Sequence, residues 1–356
     1  MPQLEGIYMK TFFFLLLLPI LVFAEPVKYA DSLMIYSKAF SENREIMISL
    51  PESYEQSSNS IYPVIYTVRG QLDMLSVIAS LDMLDREVPE FIVIGITGSG
   101  AEFHLNETGD QSRFSQFLHK EVVPYTQEKY RTAPYSILVG HSNAGRFVTN
   151  DWFLRGTDFN NYISISPGNN KQERELAISI DKEEVQKKGA LILSIANEEN
   201  LRAMFNELES LESLSNKATF MKFPNQTHMS GRIETIMAGL RQSFDGWLPP
   251  QEIERGPFEG LQEHYQNLSK QYGFEVNVPL ETMKRMSGFD SMSKDESKWK
   301  NAANVIDYAL TKNPNNADQF FDIVDQVVSF GQTEASKRLV SSICKNTPKH
   351  SRCLVQ

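Results

Sequence analysis

The feature that most restricts the fold of this chain is a regular alternation of strand-like and helix-like stretches between Tyr62 and Trp247. The first strand-like stretch, Tyr62–Val68, is apolar and stops at the pair Arg69-Gly70. Four more apolar runs follow the same pattern: Phe91–Ile96, Tyr135–Val139, Tyr162–Ser166 and Ala190–Ile195. Apolar runs without strict alternation suit strands that are covered on both faces.

Amphipathic stretches lie between these runs. One has apolar residues at helical spacing, although Pro124 should kink or end that helix: Phe114, Phe117, Leu118, Val122 and Tyr125. Residues 201–211 and 233–244 repeat the helical spacing, and Met34–Ser37 with Arg44–Leu50 predicts an antiparallel pair at one edge. The pattern predicts an α/β fold, with a mostly parallel sheet between two layers of helices.

The N-terminus predicts a secretory signal peptide at residues 1–24, with Met9 as an alternative start. Lys10 precedes the apolar run Phe12–Ala24, which is short for a membrane span and is interrupted by Pro19. The alternative is a buried N-terminal helix. We expect an exported protein, periplasmic or secreted, with no stable membrane insertion once the signal is removed.

The rest of the chain divides into three segments by residue composition and hydrophobic pattern. Residues 25–250 form the predicted α/β domain, 251–290 a linker or helical connection, and 291–356 a helical region. Pro314 and Pro348 each close a helical stretch and lie 34 residues apart, the period of a tetratricopeptide repeat. A degenerate repeat and an ordinary helical appendage both remain open, and these helices could serve a dimer or a peptide partner.

Composition excludes some function classes and leaves the cysteines undecided. A formal net charge of −10 argues against nucleic acid, and 41% hydrophobic residues support a real core. Cys344 and Cys353 could form a disulfide in an oxidising compartment or remain free thiols. No phosphate-binding loop or zinc-ligand spacing is present, so we expect no cofactor and no metal.

The sharpest chemical signal is the run Gly140-His141-Ser142-Asn143-Ala144-Gly145, between an apolar strand and a predicted helix. This arrangement is typical of a nucleophile elbow, a strained turn that presents a serine hydroxyl above the sheet. Small residues are needed two before and two after the serine, so Gly140 fits and Ala144 predicts some crowding. The alternative is a plain helix cap at Ser142.

A serine needs a base to become a nucleophile, and a histidine base needs an acid. Of the six histidines, His228 alone follows Ser142 in a loop just beyond a strand, Thr219–Phe223. Glu198 and Glu199 follow the preceding strand, and we favour Glu198 as the acid. Either glutamate could instead be a solvated residue at a helix start.

An oxyanion hole requires two backbone N–H donors. Asn143 supplies the first, and the loop after Tyr62–Val68 should supply the second from Gly70 or Gln71. Arg69 in that loop could contact a substrate or form a surface salt bridge. His141, inside the elbow, is a further candidate for substrate contact.

Several motifs together resemble the esterase family that includes the enterobactin and bacillibactin esterases. They are Tyr62–Tyr66, Phe91–Ile96, Arg113-Phe114 leading to Glu121–Tyr125, Tyr130-Arg131-Thr132, Gly140-His141-Ser142, Ser166-Pro167 and Thr227-His228. The resemblance covers about Ala30 to Pro249. It implies an α/β-hydrolase fold and cofactor-free hydrolysis of small-molecule carboxylic esters, with Ser142 as nucleophile, His228 as base and an acid near Glu198.

Three positions depart from the family pattern, and all border the expected pocket. Arg69 stands where an aspartate is usual, an arginine expected after Ile96 is replaced, and Gly168 stands where aromatic residues are expected. Siderophore lactones and simple acyl esters therefore both remain open as substrates. Acyl transfer is a second enzymatic hypothesis. A catalytically degenerate binding protein is the third, motivated by Ala144 and Arg69.

Overall fold

The computed structural model describes residues 28–55, 59–105, 112–168, 175–176 and 178–354. The predicted signal peptide lies outside the described residues. The described chain builds one eight-stranded sheet in the order β1-β2-β4-β3-β5-β6-β7-β8. The strands are β1 Asp31–Ser37, β2 Glu42–Ser49, β3 Tyr62–Val68, β4 Ile92–Ile96, β5 Thr132–His141, β6 Asn161–Ile165, β7 Ala190–Ile195 and β8 Ala218–Lys222.

The strand pairing confirms the α/β prediction. Strands β3 to β8 are all parallel to one another, whereas β1 and β2 form an antiparallel pair at one edge, where β2 is also antiparallel to β4. Every residue of β3, β4 and β6 is buried, as expected for strands covered on both faces. The carboxyl ends of β5, β6, β7 and β8 consequently lie along one edge of the sheet, where ligands bind in open α/β sheets.

Helices cover both faces of the sheet. They are α1 Gly70–Leu84, α2 Arg113–Phe117, α3 Val123–Lys129, α4 Asn143–Leu154, α5 Lys182–Lys187, α6 Glu199–Glu209, α7 Gly231–Ser243, α8 Gln251–Glu254, α9 Phe258–Tyr272, α10 Leu280–Ser291, α11 Glu296–Lys312, α12 Ala317–Ser329 and α13 Thr333–Asn346. Short 3₁₀ turns occupy Glu52–Tyr54, Asp85–Glu87, Gly100–Phe103, Glu212–Leu214, Pro314–Asn316 and Ser351–Cys353. None of the helices in the described residues combines the length and hydropathy that a membrane span requires.

Pro124 neither ends nor sharply breaks its helix. The chain passes from α2 into a π-helical turn, Leu118–Val122, and then into α3, where Pro124 occupies the first turn. Proline lacks the N–H that an interior helical residue donates, and a wider turn just before it accommodates the missing bond. The expected interruption is therefore a local change in helical pitch.

Two apolar cores flank the sheet. One contains α2, α4 and α6 with side chains such as Phe114, Phe147 and Phe205. The other contains α1, α7 and the C-terminal helices, and it runs without interruption from Ile65 in β3 to Ile343 in α13. The C-terminal helices are thus packed onto one face of the α/β layer, and the apolar core crosses the predicted boundary at residue 250.

The C-terminal region is helical, as expected. Helices α12 and α13 are joined by a turn at Gly331, whose φ is 78°, and Ala335 is fully buried beside that turn. A tetratricopeptide relationship stays a prediction. Cys344 and Cys353, left open by the sequence, form a disulfide with their Cα atoms 5.4 Å apart.

Candidate active site

Ser142 occupies the sharp turn between β5 and α4. Its backbone adopts φ 59° and ψ −120°, a region that non-glycine residues rarely enter and that costs about 1–3 kcal/mol. The strain is held by hydrogen bonds on both sides, because the N–H of Ser142 donates to the Ile165 oxygen at 2.9 Å and its own carbonyl accepts from the Arg146 N–H at 2.9 Å. The turn has the form of the predicted elbow, and its serine is partly exposed.

The small residues around Ser142 have identifiable neighbours. A Cβ atom at Gly140 would overlap the carbonyl group of Ala144, and one at Gly145 would lie 2.7 Å from the Ile165 oxygen. Ala144 is fully buried and fits the turn. The close approaches that require glycine are therefore at Gly140 and Gly145, so the alanine does not prevent the elbow.

His228 and Glu198 meet at the carboxyl ends of β7 and β8. The His228 Nδ1 lies 2.5 Å from the Glu198 Oε1, and the other carboxylate oxygen accepts from the Ala196 N–H at 3.0 Å. His228 belongs to the segment Pro224–Ser230, which we call the base loop. Its ring is about half-exposed, whereas the Glu198 side chain is largely buried.

The environment keeps Glu198 ionised. Burial by itself would raise the pKa of its carboxyl group, but interactions with Ser166, His228 and the Ala196 N–H together outweigh burial and lower the pKa. The Ser166 hydroxyl is buried with no partner inside ordinary hydrogen-bond geometry, and its φ of 43° is a second strained backbone position at this edge. An ionised Glu198 fixes a proton on the Nδ1 of His228.

Glu199 is placed differently from its neighbour. It is the first residue of α6 and is exposed, with its carboxylate in a favourable position at a helix start. Glu198 precedes the helix in an extended conformation, with φ −128°, and this conformation turns its side chain toward the base loop. Of the two glutamates, Glu198 is thus the one that contacts His228, and its role as the catalytic acid stays a prediction.

The second ring nitrogen of His228 is available. Within the described residues its Nε2 has no hydrogen-bond partner, and neither has the Ser142 hydroxyl. In enzymes without bound substrate, catalytic hydrogen bonds are often long and tighten only when substrate arrives. The arrangement thus has one nitrogen held by an acid and the other free to take a proton.

Two helix starts lie at neighbouring strand ends. Asn143 begins α4 after β5, and Gly70 with Gln71 begins α1 after β3, the strand next to β5. The first N–H groups of a helix lack internal partners and can bind an anion. Gly70 packs so closely on Gly95 that a Cβ atom at Gly70 would overlap the Gly95 Cα. The side-chain Nε2 of Gln71 donates to the Gly98 carbonyl oxygen at 2.6 Å. The assignment of these residues to an oxyanion hole stays a prediction.

Arg69 is engaged with a neighbour in the structure. It adopts a left-handed backbone conformation, with φ 62° and ψ 47°, and its Nε lies 3.2 Å from the Asp73 Oδ2. Its side chain is 17% exposed and that of Asp73 is 5% exposed, so the pair is more enclosed than a surface salt bridge. Contact between Arg69 and a substrate stays a prediction.

His141 is in the interior. Its residue is 1% exposed, a position that leaves little surface for a substrate. Burial, followed by the neighbouring His228, lowers its pKa to about 4, so the ring is neutral. Its Nε2 lies 2.8 Å from the His228 carbonyl oxygen, which only accepts, and its Nδ1 lies 3.4 Å from the Arg69 Nη2, which only donates. These partners assign the proton to Nε2.

Comparison with known proteins identifies the family. A family model described as "Putative esterase" matches residues 37–230, which is more than half of the chain. The chain belongs to this esterase family. Membership makes it a carboxylic ester hydrolase, and the matched range includes the elbow, Glu198 and the base loop. A search of curated proteins finds no significant match.

Solved structures with the same fold support this placement of the esterase domain. An IroE-like serine hydrolase from Shewanella oneidensis is similar with a TM-score of 0.60 and 20% identity, over 78% of this chain and 98% of that chain. An uncharacterised protein from Capnocytophaga ochracea gives a TM-score of 0.58 at 19% identity, over 90% and 100% of the two chains. The BES protein from Bacillus cereus gives a TM-score of 0.51 at 20% identity, over 61% of this chain and 97% of that chain. The match to the Capnocytophaga protein covers 90% of this chain, which is more than residues 1–250 make up. The shared fold therefore includes part of the C-terminal helices.

Proposed function

We propose that this esterase cleaves carboxylic esters through an acyl-enzyme on Ser142, with His228 as base and Glu198 as the acid that orients it. The observation that carries the proposal is the 2.5 Å contact between the His228 Nδ1 and the Glu198 carboxylate. Because this contact occupies Nδ1 with its proton, the Nε2 lone pair is the site that accepts a proton from Ser142.

In the first half of the reaction, the Ser142 Oγ attacks the ester carbonyl carbon while its proton passes to the His228 Nε2. The carbonyl oxygen becomes an oxyanion, which the N–H groups of Asn143 and of Gly70 or Gln71 are expected to stabilise. The carbon–oxygen bond to the alcohol then breaks, and His228 returns the proton to the leaving alcohol. The imidazolium formed on the way is stabilised by the ionised Glu198.

In the second half, water hydrolyses the acyl-enzyme. His228 removes a proton from the water as its oxygen attacks the acyl carbon, and the same proton returns to Ser142 when the bond to its Oγ breaks. The products are a carboxylic acid and the free enzyme. The fold similarity to a protein described as a serine hydrolase is consistent with this chemistry.

We further propose that an apolar group of the ester packs beside His228. Leu72 in α1 is 60% exposed and Met229 in the base loop is 55% exposed. The guanidinium of Arg232 donates to the carbonyl oxygens of both residues, at 3.3 and 3.1 Å, so the backbones of Leu72 and Met229 lie close to each other. Exposed apolar side chains at a site entrance suit an apolar substrate group.

Hydrolysis of p-nitrophenyl acetate, butyrate and octanoate by the mature protein tests both proposals. Ser142→Ala and His228→Ala should abolish turnover with all three esters. Leu72→Asn combined with Met229→Gln should raise KM mainly for octanoate. The matched control is Met83→Gln, an equally exposed residue at the far end of α1. Turnover that survives Ser142→Ala would refute the serine mechanism, and equal changes for all chain lengths would refute the apolar subsite.

We propose that the protein acts outside the cytoplasm. The apolar run Phe12–Ala24 behind Lys10 supports export, and the Cys344–Cys353 disulfide suits an oxidising compartment. The N-terminal sequence of the protein recovered from its native cell should begin at Glu25. A mature protein that retains the apolar run would contradict the proposal.

A further inference from the structure

Two successive carbonyl groups of the base loop are held by side chains. The His228 oxygen accepts from the His141 Nε2 at 2.8 Å, and the Met229 oxygen accepts from the Arg232 Nε at 3.1 Å. Fixing two adjacent peptide groups restricts the backbone from which the His228 ring projects. The His141 ring also packs against the His228 ring, with centroids 4.4 Å apart.

The two side chains that hold these carbonyl groups, Arg232 and His141, are both linked to one carboxylate in α1, that of Asp73. The Arg232 Nη1 donates to the Asp73 Oδ1 at 2.8 Å, and the Arg69 Nε donates to the Asp73 Oδ2 at 3.2 Å. Arg69 in turn faces the Nδ1 of His141 at 3.4 Å. We call these four residues the Asp73 network: Asp73, Arg232, Arg69 and His141. It connects the first turn of α1 to the elbow and to the base loop.

We infer that Asp73, acting through Arg232 and His141, is a positioning residue that holds His228 in line between Glu198 and Ser142. This inference rests on the proposed function, since it assigns a role only if His228 is the base. Asp73 is 3% exposed and is clamped between two arginines. Its carboxylate is therefore the single fixed anchor for both ends of the network.

The burial of the network explains why a carboxylate is needed. The Arg69 and Arg232 side chains are 17% and 18% exposed, so each has lost most of its contact with water. Without Asp73 these cations would lack their buried counter-charge and would turn toward solvent. Arg232 would then release Met229, and Arg69 would no longer fix His141.

The expected consequence is a loss of rate rather than of substrate binding. A displacement of a catalytic group by about 1 Å can cost about 100-fold in rate. None of the network residues is required to touch the ester for this effect. A change in kcat with little change in KM is therefore the signature of the inference.

The test compares Arg232→Ala and Asp73→Asn with Arg241→Ala in the full-length mature protein. Arg241 is a matched control, because it also projects from α7 and pairs with a carboxylate near the end of α1, Glu87, at 2.6 Å. Wild type and Ser142→Ala are measured beside them on p-nitrophenyl butyrate. We expect Arg232→Ala and Asp73→Asn to lower kcat by about 10- to 100-fold and to change KM by less than about twofold. Arg241→Ala should match the wild type.

Chemical rescue distinguishes positioning from a general structural defect. Added ethylguanidinium should restore part of the kcat of Arg232→Ala and leave Arg241→Ala unchanged. Asp73 is buried, so Asp73→Asn has the higher risk of misfolding. Arg232→Ala therefore decides the outcome, and circular dichroism checks that it is folded. A kcat within twofold of the wild type, a loss confined to KM, or a loss that ethylguanidinium does not relieve would overturn the inference. Wild type without Ser142-dependent turnover would instead refute the proposed function.

Discussion

Two histidine–carboxylate clusters in this molecule use the same chemical groups in opposite ways. His228 is about half-exposed and meets one carboxylate, Glu198, through Nδ1 alone. His119 has a 6% exposed side chain and meets two carboxylates, with its Nε2 2.8 Å from Asp151 and its Nδ1 3.0 Å from Asp158. The difference lies in the second ring nitrogen, which is open in one cluster and occupied in the other.

The two carboxylates beside His119 act on the pKa of its ring. Burial would lower the pKa of His119, but the bonds to Asp151 and Asp158 outweigh it and raise the pKa. Both nitrogens of the His119 ring face carboxylate oxygens, which only accept, so neither nitrogen offers a free lone pair for proton transfer. His228 has one acid and one open nitrogen, the combination that a general base requires.

The largest effect is expected from the reacting residues. Ser142→Ala and His228→Gln should each lower kcat/KM by about 10⁴-fold or more, because each removes a participant in proton transfer or bond formation. His119→Gln should leave kcat/KM per folded molecule unchanged. Steady-state hydrolysis of p-nitrophenyl butyrate measures all three. A comparable fall in kcat/KM for His119→Gln would contradict the assignment of a catalytic role to His228 and a structural role to His119.

The second-largest loss of activity is expected from changing Glu198, the proposed acid partner of His228. Glu198→Gln keeps the shape of the side chain but removes the charge that stabilises the imidazolium, and we expect kcat to fall about 100- to 10⁴-fold. Glu199→Gln changes an exposed residue and should cost less than about threefold. If Glu199→Gln had the larger effect, the acid would be misassigned. The measurement is kcat for both variants on one ester.

His119→Gln should affect stability instead of rate. Removing one partner from a buried ion pair leaves uncompensated charge, here on the buried Asp151, and typically costs about 3 kcal/mol or more. Urea unfolding followed by tryptophan fluorescence gives the free energy of unfolding. His228→Gln should lie within about 1 kcal/mol of the wild type in the same assay. Equal destabilisation by the two substitutions would contradict the contrast.

The smallest expected effect is a dependence of stability on pH. The pKa of His119 is raised above its ordinary 6.5, so its contribution is complete below that pH and is lost as pH rises through the raised value. The pKa of Asp158 is lowered from 3.8, chiefly by the bond to His119, so its contribution is lost only as pH falls below that range. The free energy of unfolding should therefore decline as pH rises from 6.5 through the raised pKa of His119, and His119→Gln should flatten this decline. A decline of the same size in wild type and His119→Gln would refute the assignment.

The sheet could be predicted from sequence more completely than its connections. The predicted runs Tyr62–Val68 and Ala190–Ile195 coincide with β3 and β7, because a largely apolar stretch bounded by breakers indicates a buried strand. Pro124 was expected to kink or end its helix, yet a π-helical turn, Leu118–Val122, precedes it and the chain continues into α3. The wider turn accommodates the hydrogen bond that proline cannot donate, and no local sequence pattern predicts such a turn.

The candidate site could be predicted in part. The elbow and the order of Ser142, Glu198 and His228 carry local signals, whereas only the backbone conformation shows which of the two adjacent glutamates contacts His228. Only one pair of the Asp73 network is close in sequence: Asp73 lies four residues after Arg69, which immediately precedes α1. Its bond to Arg232 spans 159 residues, and no pattern in a single sequence identifies such a pair. His119 gave no signal of its carboxylate partners.

The most direct test of the difference between the clusters is the rate at which a fluorophosphonate labels Ser142. The rate is measured by intact mass and peptide mapping in wild type, His228→Gln and His119→Gln. We expect labelling on Ser142 at equal rates in wild type and His119→Gln, and at least about 1,000-fold slower in His228→Gln. Absence of labelling in wild type, or equal slowing in both histidine variants, would contradict the account.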